Sequence, residues 1–346
     1  MNKNDISTTD RLNIDDALDA KDINILLGNK NLNCIQTDKP LKENTLTRLN
    51  ELFFSKRTDV EFRLWGYNRT ICDLSSLTYL SNVEILSADC LFDVINEKYI
   101  SNISKLKKLS FGAYRHTNFD FLNDISSTIE SLSLHPTFSK KPKLDMLNRF
   151  VFLKRLYLDS QQSGIDVISC LKQLEDLTLR SISTDTIDYI NGHDKLWSLD
   201  IKLGGIKSFK AIESLNIKYL ELWKVNGLKS IDFISYLAKL QNIFLQDLTN
   251  IKYMPELLNN KALTRITIQN LKQMRSLEAI KNAPSLNEFC FIMAMNHVPS
   301  DFAPIFENIK IEKVLITSNK KTNEYVDKMM KENNIERYKF SKYEYK

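Results

Sequence analysis

The sequence is poor in the residue sets that announce common chemistries. Its five cysteines, Cys34, Cys72, Cys90, Cys170 and Cys290, are odd in number, widely scattered and free of any C-x-x-C pair. That pattern argues against a disulfide framework or a thiolate metal site and fits reduced thiols in the cytoplasm. The four histidines, His116, His135, His193 and His297, stand far apart with no H-x-H or H-E-x-x-H spacing, so a metal centre is not expected and they read as surface residues. No G-x-G-x-x-G, Walker or G-x-S-x-G sequence occurs, and Gly204-Gly205 reads as a turn after a strand. No apolar run approaches the roughly 18 residues a membrane span needs. The N-terminus carries Lys3, Asp5, Asp10, Asp15, Asp16 and Asp19 and offers no apolar stretch of a signal peptide, which predicts a cytoplasmic protein. Charge of one sign is scarce too: 48 basic residues face 43 acidic ones, and a net charge of +5 does not by itself call for nucleic acid.

What the chain does have is a repeat. An apolar triplet spaced x-x-x-apolar-x-apolar recurs thirteen times from Arg57 onward, with successive copies starting 21 to 26 residues apart. The clearest copies are Leu153, Leu156, Leu158; Leu174, Leu177, Leu179; Leu196, Leu199, Ile201; Ile217, Leu220, Leu222; Leu240, Ile243, Leu245; and Leu263, Ile266, Ile268. Copies starting at Leu80, Leu106, Ile129, Leu286, Ile311 and Ile335 fit as well, and the one entered at Arg57 keeps only Val60 and Phe62. Each has an alternating part, read as a short strand with its apolar side inward. After it the apolar residues fall every third position, as at Leu248, Ile251, Met254 and Leu257, a spacing too tight for an α-helix and suited to 3₁₀ turns or an irregular return. One such unit cannot bury its apolar residues alone, so neighbouring copies stack and their strands build a parallel sheet.

The triplet resembles the first half of the leucine-rich repeat signature, L-x-x-L-x-L, and the resemblance covers nearly the whole chain. The repeat length is similar to that of short, internalin-like repeats. The phrases at 51–66 (ELFFSKRTDVEFRLWG) and 199–209 (LDIKLGGIKSF) resemble cytoplasmic bacterial leucine-rich repeat proteins, a likeness that brings no biochemical activity with it. The expected fold is an α/β solenoid, a curved leucine-rich repeat array of about 12–13 repeats with a parallel concave sheet, a 3₁₀ or irregular convex side and helical caps. Residues 1–56 read as an N-terminal tail and helical cap, and 57–346 as the solenoid with a C-terminal helix–strand cap. Within the first segment, 1–20 is expected to be poorly ordered, Leu32, Cys34 and Ile35 to add an edge strand, and Asn44 or Thr45 to cap a helix bearing Leu46, Leu49, Leu52 and Phe53. At the other end Asn323 is expected to cap a helix bearing Tyr325, Val326, Met329 and Met330, ahead of a final strand with Ile335, Tyr338 and Phe340. The pattern departs from the family at its ninth position, normally Asn or Cys, which here is Gln161, Ile182, Gly204, Val225, Leu248 and Leu271. The backbone groups at that corner must find partners other than a side-chain amide ladder.

Side chains alternate across a strand, so the residues between the inward ones point out of the sheet. Those positions are Arg155, Tyr157, Asp159; Asp176, Thr178, Arg180; Ser198, Asp200, Lys202; Tyr219, Glu221, Trp223; Asn242, Phe244, Gln246; and Arg265, Thr267, Gln269, with Asp59, Glu61, Arg63, Asn82, Glu84 and Leu86 toward the N-terminus. His135 and Cys290 also fall outward. Tyr157, Tyr219, Trp223 and Phe244 lie among Arg155, Arg180, Arg265, Lys202, Asp159, Asp200, Glu221 and Gln246, and aromatics and arginines of this kind dominate binding hot spots. At about 4.8 Å per strand they make a strip about 25 Å across. Its mixed sign does not suit a phosphate backbone, and the basic turn at Lys140, Lys141 and Lys143 beside Pro136 and Pro142 reads as solvated. The function expected is a protein-binding scaffold with no catalytic residue, cofactor or metal, acting as a monomer or transient oligomer without nucleic acid or membrane. A narrower alternative is an inhibitor or immunity protein that covers a toxin, which a neighbouring toxin gene would signal.

Overall fold

A computed structural model describes residues 3–67, 70–139 and 142–346, with backbone alone at 3–5. Lys140 and Lys141 of the basic turn lie outside the described residues. Two compact units follow one another, Met1–Leu171 and Lys172–Lys346.

In the first unit the parallel strands are β1 (Arg11–Asn13), β2 (Cys34–Thr37), β3 (Glu61–Trp65), β5 (Ile85–Leu91), β7 (Lys108–Ala113), β8 (Ser131–Leu134) and β9 (Arg155–Asp159), paired in that order. A separate pair, β4 (Ile71–Asp73) with β6 (Asp93–Ile95), lies just past two of these strands. The alternation of apolar residues sets the inward row: Ile35, Phe62, Leu86, Leu109, Leu132 and Leu156 are in register, and each is at most 2 % exposed. The copy entered at Leu80 is a correction. Its inward residues are Val83, Leu86 and Ala88, so Leu86 faces the core rather than outward; a one-residue slip moves every side chain to the other face.

From residue 3 onward the N-terminal segment carries helices and a strand where a poorly ordered tail was expected. Helices α1 (Lys3–Thr8) and α2 (Ala20–Gly28) flank β1, and Ile6, Leu12, Ile14 and Leu18 are buried. Asp19 caps α2 by accepting from the backbone N–H of Lys21 at 2.7 Å and of Asp22 at 2.9 Å, and Asp22 closes the box by accepting from the Asp19 N–H. With β1 beside it, β2 is internal rather than an edge. The next helix, α3 (Glu43–Arg48), starts after Lys42, ahead of the expected cap. It widens into a π-helical turn over Leu49–Phe54. That wider turn carries Phe53 and Phe54 together into the core and leaves Leu52 outside.

The second unit stacks β10 (Asp176–Arg180), β11 (Ser198–Lys202), β12 (Tyr219–Trp223), β13 (Asn242–Gln246), β14 (Arg265–Gln269), β15 (Glu288–Ile292), β16 (Lys313–Ile316) and β17 (Glu336–Arg337), all parallel. Leu177, Leu199, Leu220, Ile243, Ile266 and Phe289 form its inward row. The return segments are 3₁₀ turns, among them Lys210–Ser214, Asp232–Tyr236 and Glu278–Asn282, matching the three-residue spacing. Helix α4 (Ala303–Glu307) and helix α5 (Lys320–Glu332) close the C-terminal end. Asn319, not Asn323, caps α5 by accepting from the Thr322 N–H at 3.0 Å, while Asn323 accepts from the Ser318 N–H at 2.8 Å. Of the residues expected in the last strand, Tyr338 is buried and Phe340 is exposed.

The corner after each strand shows what replaces the missing amide ladder. Ser181, Leu203, Lys224, Asp247, Asn270 and Met293 all have φ between 48° and 59°, the left-handed region. In that conformation the N–H of Ser181 reaches the Lys202 carbonyl at 2.7 Å, Leu203 reaches Trp223 at 2.8 Å, Lys224 reaches Gln246 at 2.8 Å and Asp247 reaches Gln269 at 3.1 Å. A second step runs from the Gly205 N–H to the Ile182 carbonyl at 3.0 Å and from Asn226 to Gly204 at 2.7 Å. A left-handed side-chain-bearing residue costs about 1–2 kcal/mol, so each corner holds its strain for the sake of a main-chain bond to the next repeat. Gly204 is required by proximity: a Cβ there would overlap the Ile182 carbonyl oxygen. In the first unit Gln161 supplies a side-chain amide at this corner, donating to the His135 carbonyl at 2.9 Å and accepting from the Asp159 N–H at 3.1 Å.

Candidate partner-binding face

Strand register turns the outward residues of the second unit into three rows. The first is Asp176, Ser198, Tyr219, Asn242, Arg265 and Glu288; the second is Thr178, Asp200, Glu221, Phe244, Thr267 and Cys290; the third is Arg180, Lys202, Trp223, Gln246 and Gln269. At the centre Lys202 Nζ bridges Asp200 Oδ2 at 3.3 Å and Glu221 Oε2 at 3.2 Å, and the Tyr219 hydroxyl donates to Glu221 Oε2 at 2.9 Å. The other Asp200 oxygen is buried without a hydrogen-bond partner among the described residues. Burial pushes the Asp200 carboxyl up to about 6 against the pull of Lys202. Burial alone would depress Lys202, and the two carboxylates outweigh it and hold its ammonium above the ordinary value. Tyr219 is raised by burial and by the same carboxylates.

Trp223 and Phe244 sit at the rim of this cluster, both half-buried. The Trp223 indole donates to Asp247 Oδ2 at 3.3 Å, and the Arg180 guanidinium stands 5.9 Å from its ring centroid. Asp247 also accepts from Gln246 at 3.2 Å and from Asn270 at 2.5 Å, so the ring is fixed from beneath. Phe244 has Glu221 on one side and Thr267 on the other.

Arg265 is a correction to the expected face. It points outward, yet it is only 8 % exposed because the chain itself covers it. Its guanidinium donates to Glu288 Oε2 at 2.6 Å and to the Ser341 carbonyl at 2.9 Å, with the Tyr338 and Tyr343 rings 5.3 and 5.0 Å away. Cys290, also expected outward, is fully buried, and burial pushes its thiol up to about 12.

In the first unit Arg155 is exposed and Tyr157 half-buried, while Asp159 is another correction at 5 % exposure, accepting from Ser160 Oγ at 3.0 Å and the Tyr157 hydroxyl at 3.3 Å. His135 pairs with Ser110 Oγ at 2.8 Å and lies 5.3 Å from the Tyr157 ring; burial holds its pKa down. The surface reading of the other histidines fails for His193 and His297, which are buried; His193 Nδ1 donates to the Ile190 carbonyl at 2.8 Å, closing the 3₁₀ turn beneath it. Among the described residues no group of His, Cys, Asp and Glu could hold a metal ion, and no helix is long and apolar enough to cross a membrane.

A second aromatic surface in this unit escaped the sequence reading. Phe92 stacks on Tyr114 at 5.9 Å, Tyr114 meets Phe138 at 5.7 Å, and the Arg115 guanidinium lies 4.5 Å over Phe92. Each aromatic follows a strand in three consecutive copies, beyond the alternating positions used to find the outward face. An aromatic recurring just past the strand was the signal available.

No family model and no curated protein matches the sequence. Solved structures do match. An internalin of Listeria monocytogenes is similar over 85 % of this chain and 83 % of its own, at 18 % identity and a TM-score of 0.58. The fold is a leucine-rich repeat. The protein of a TLR13 complex with single-stranded RNA is similar over 92 % of this leucine-rich repeat chain and 50 % of its own, at 17 % identity and a TM-score of 0.51. A leucine-rich repeat protein of Leptospira interrogans aligns over 95 % of this chain and 96 % of its own, at 17 % identity and a TM-score of 0.48.

Proposed function

We propose that this leucine-rich repeat chain is a protein-binding scaffold whose partner docks on the outward face of the Lys172–Lys346 sheet, around Trp223 and Phe244. The observation that carries the reading is a pair of half-buried aromatic side chains, Trp223 anchored through Asp247 and Phe244 on the next strand, beside a half-buried charge cluster, Asp200, Lys202 and Glu221. Rigid aromatics lose little entropy on binding, and a partner's polar groups find both signs of charge within reach. An RNA-binding reading draws only on the TLR13 relative, and rows that set Asp176, Asp200, Glu221 and Glu288 among Arg180, Lys202 and Arg265 do not suit a phosphate backbone. A cytoplasmic site of action is supported by five unpaired thiols.

The test is the double variant Trp223→Ala with Phe244→Ala. Once the partner is captured from the native host, its purified form should bind the variant at least about 30-fold more weakly, as loss of a hot-spot pair implies. The melting temperature should move by only a few degrees, since neither ring is in the core. Undiminished affinity would overturn the site.

A further inference from the structure

Past Tyr338 the chain turns back over its own sheet. Residues 341–346 lie along the starts of strands β14, β13, β12 and β11, where Thr264, Gln241, Lys218 and Trp197 each immediately precede a strand. The segment is extended, and its exposure alternates: Lys342, Glu344 and Lys346 face solvent while Tyr343 and Tyr345 turn inward. Tyr343 pairs its hydroxyl with Thr264 Oγ1 at 2.5 Å. Tyr345 accepts from Asn242 Nδ2 at 3.1 Å and packs on Trp197 and Tyr219 at 5.0 and 6.0 Å between ring centroids.

The main chain is gripped as well. The Gln241 side-chain amide takes both backbone groups of Lys346, accepting its N–H at 2.9 Å and donating to its main-chain oxygen at 2.9 Å. Lys218 Nζ donates to that same oxygen at 2.6 Å, and Arg265 donates to the Ser341 carbonyl at 2.9 Å. From Ser341 onward, among the described residues, every main-chain hydrogen bond goes to a side chain. A receptor that reads an extended peptide works in this way, with side-chain amides and cations on the backbone and sockets for alternate side chains.

We infer that the starts of β11–β14 form a peptide-docking groove. The partner enters it with an extended segment bearing aromatic side chains at alternate positions, displacing the chain's own 341–346. This rests on the protein-binding reading above and names the partner's chemistry at one part of the face. A tethered occupant competes at an effective concentration of millimolar order, so the unmodified chain is self-shielded and a free peptide meets an open groove only when the tether's grip is loosened.

The probe is a fluorescein-labelled Ser-Lys-Tyr-Glu-Tyr-Lys peptide, followed by anisotropy against the full chain and against its Tyr343→Ala, Tyr345→Ala variant. The variant should bind saturably and at least about tenfold more tightly than the unmodified chain, and adding Gln241→Ala to it should cost most of that affinity. A Ser-Lys-Ala-Glu-Ala-Lys peptide should not bind. Independently of any peptide, Tyr345→Ala alone should red-shift tryptophan emission by uncovering Trp197. Equal binding of the tyrosine and alanine peptides, or no binding to a variant whose circular dichroism and melting are unchanged, would overturn the groove. Because the Trp223 and Phe244 assay uses neither residue 343 nor 345, undiminished partner capture there with peptide binding intact would refute the scaffold site alone.

Discussion

Asp200 offers a direct measure of what the outward face costs the fold. One of its oxygens meets Lys202, the other is buried without a partner among the described residues, and its side chain is 17 % exposed. Burial lifts its carboxyl from the ordinary 3.8 to about 6. A carboxyl that titrates higher in the folded chain than in the unfolded one favours folding only while protonated. That contribution is complete below pH 3.8, declines as the unfolded chain ionises, and is gone above pH 6. At 1.36 kcal/mol per pH unit, the ionised group costs about 3 kcal/mol at neutral pH. Asp200→Asn removes the titration and leaves Lys202 its bond to Glu221 at 3.2 Å. Urea unfolding of both proteins at pH 4.5 and 7.5 reads the effect. Relative to the parent, the variant should gain about 2 kcal/mol between those two pH values, the span from 4.5 to 6 being the part of the window sampled. A difference between the proteins that is the same at both pH values would refute the reasoning, and would mean that ionised Asp200 is stabilised by Lys202 as fully as it is by water.

Two further predictions concern the scaffold. Gly204→Ala should destabilise by about 1–3 kcal/mol, because its methyl group meets a main-chain oxygen that cannot rotate away; an unchanged urea midpoint would mean the corner yields freely. Asn260 is fully buried and donates at 2.9 Å to both the Ile234 and the Leu237 carbonyls. Each carbonyl also accepts a backbone N–H, from Leu237 and Leu240, so Asn260→Ala should cost about 1–3 kcal/mol through two lost buried hydrogen bonds, and amide hydrogen exchange should rise first in the Asp232–Tyr236 turn rather than uniformly.

The strands were legible because burial at period two writes itself directly into the apolar residues: Leu177, Leu179, Leu199 and Ile201 sit where the triplets place them. The outward rows of the second unit followed from the same alternation. What stayed hidden depends on events the local pattern does not encode. The slip at Val83, Leu86 and Ala88 is decided by pairing with Phe62 and Leu109. The left-handed corners carry Ser, Leu, Lys, Asp, Asn and Met in turn, so no residue type marks them. The residues that cover Arg265, Tyr338, Ser341 and Tyr343, lie 73 to 78 positions later in the chain, a separation at which no periodicity speaks.

Those corners have a consequence for how such a chain can change. Where an amide side chain closes the turn, each repeat is bound to keep that one residue. Here, in the copies at Ile182, Val225, Leu248 and Leu271, the closure is made by groups that every amino acid other than proline carries, so three kinds of side chain serve at the ninth position without loss of the joint. The architecture persists while the motif that would advertise it shrinks to a few apolar letters. A joint made in this way leaves the side chain at its position to be chosen by packing alone.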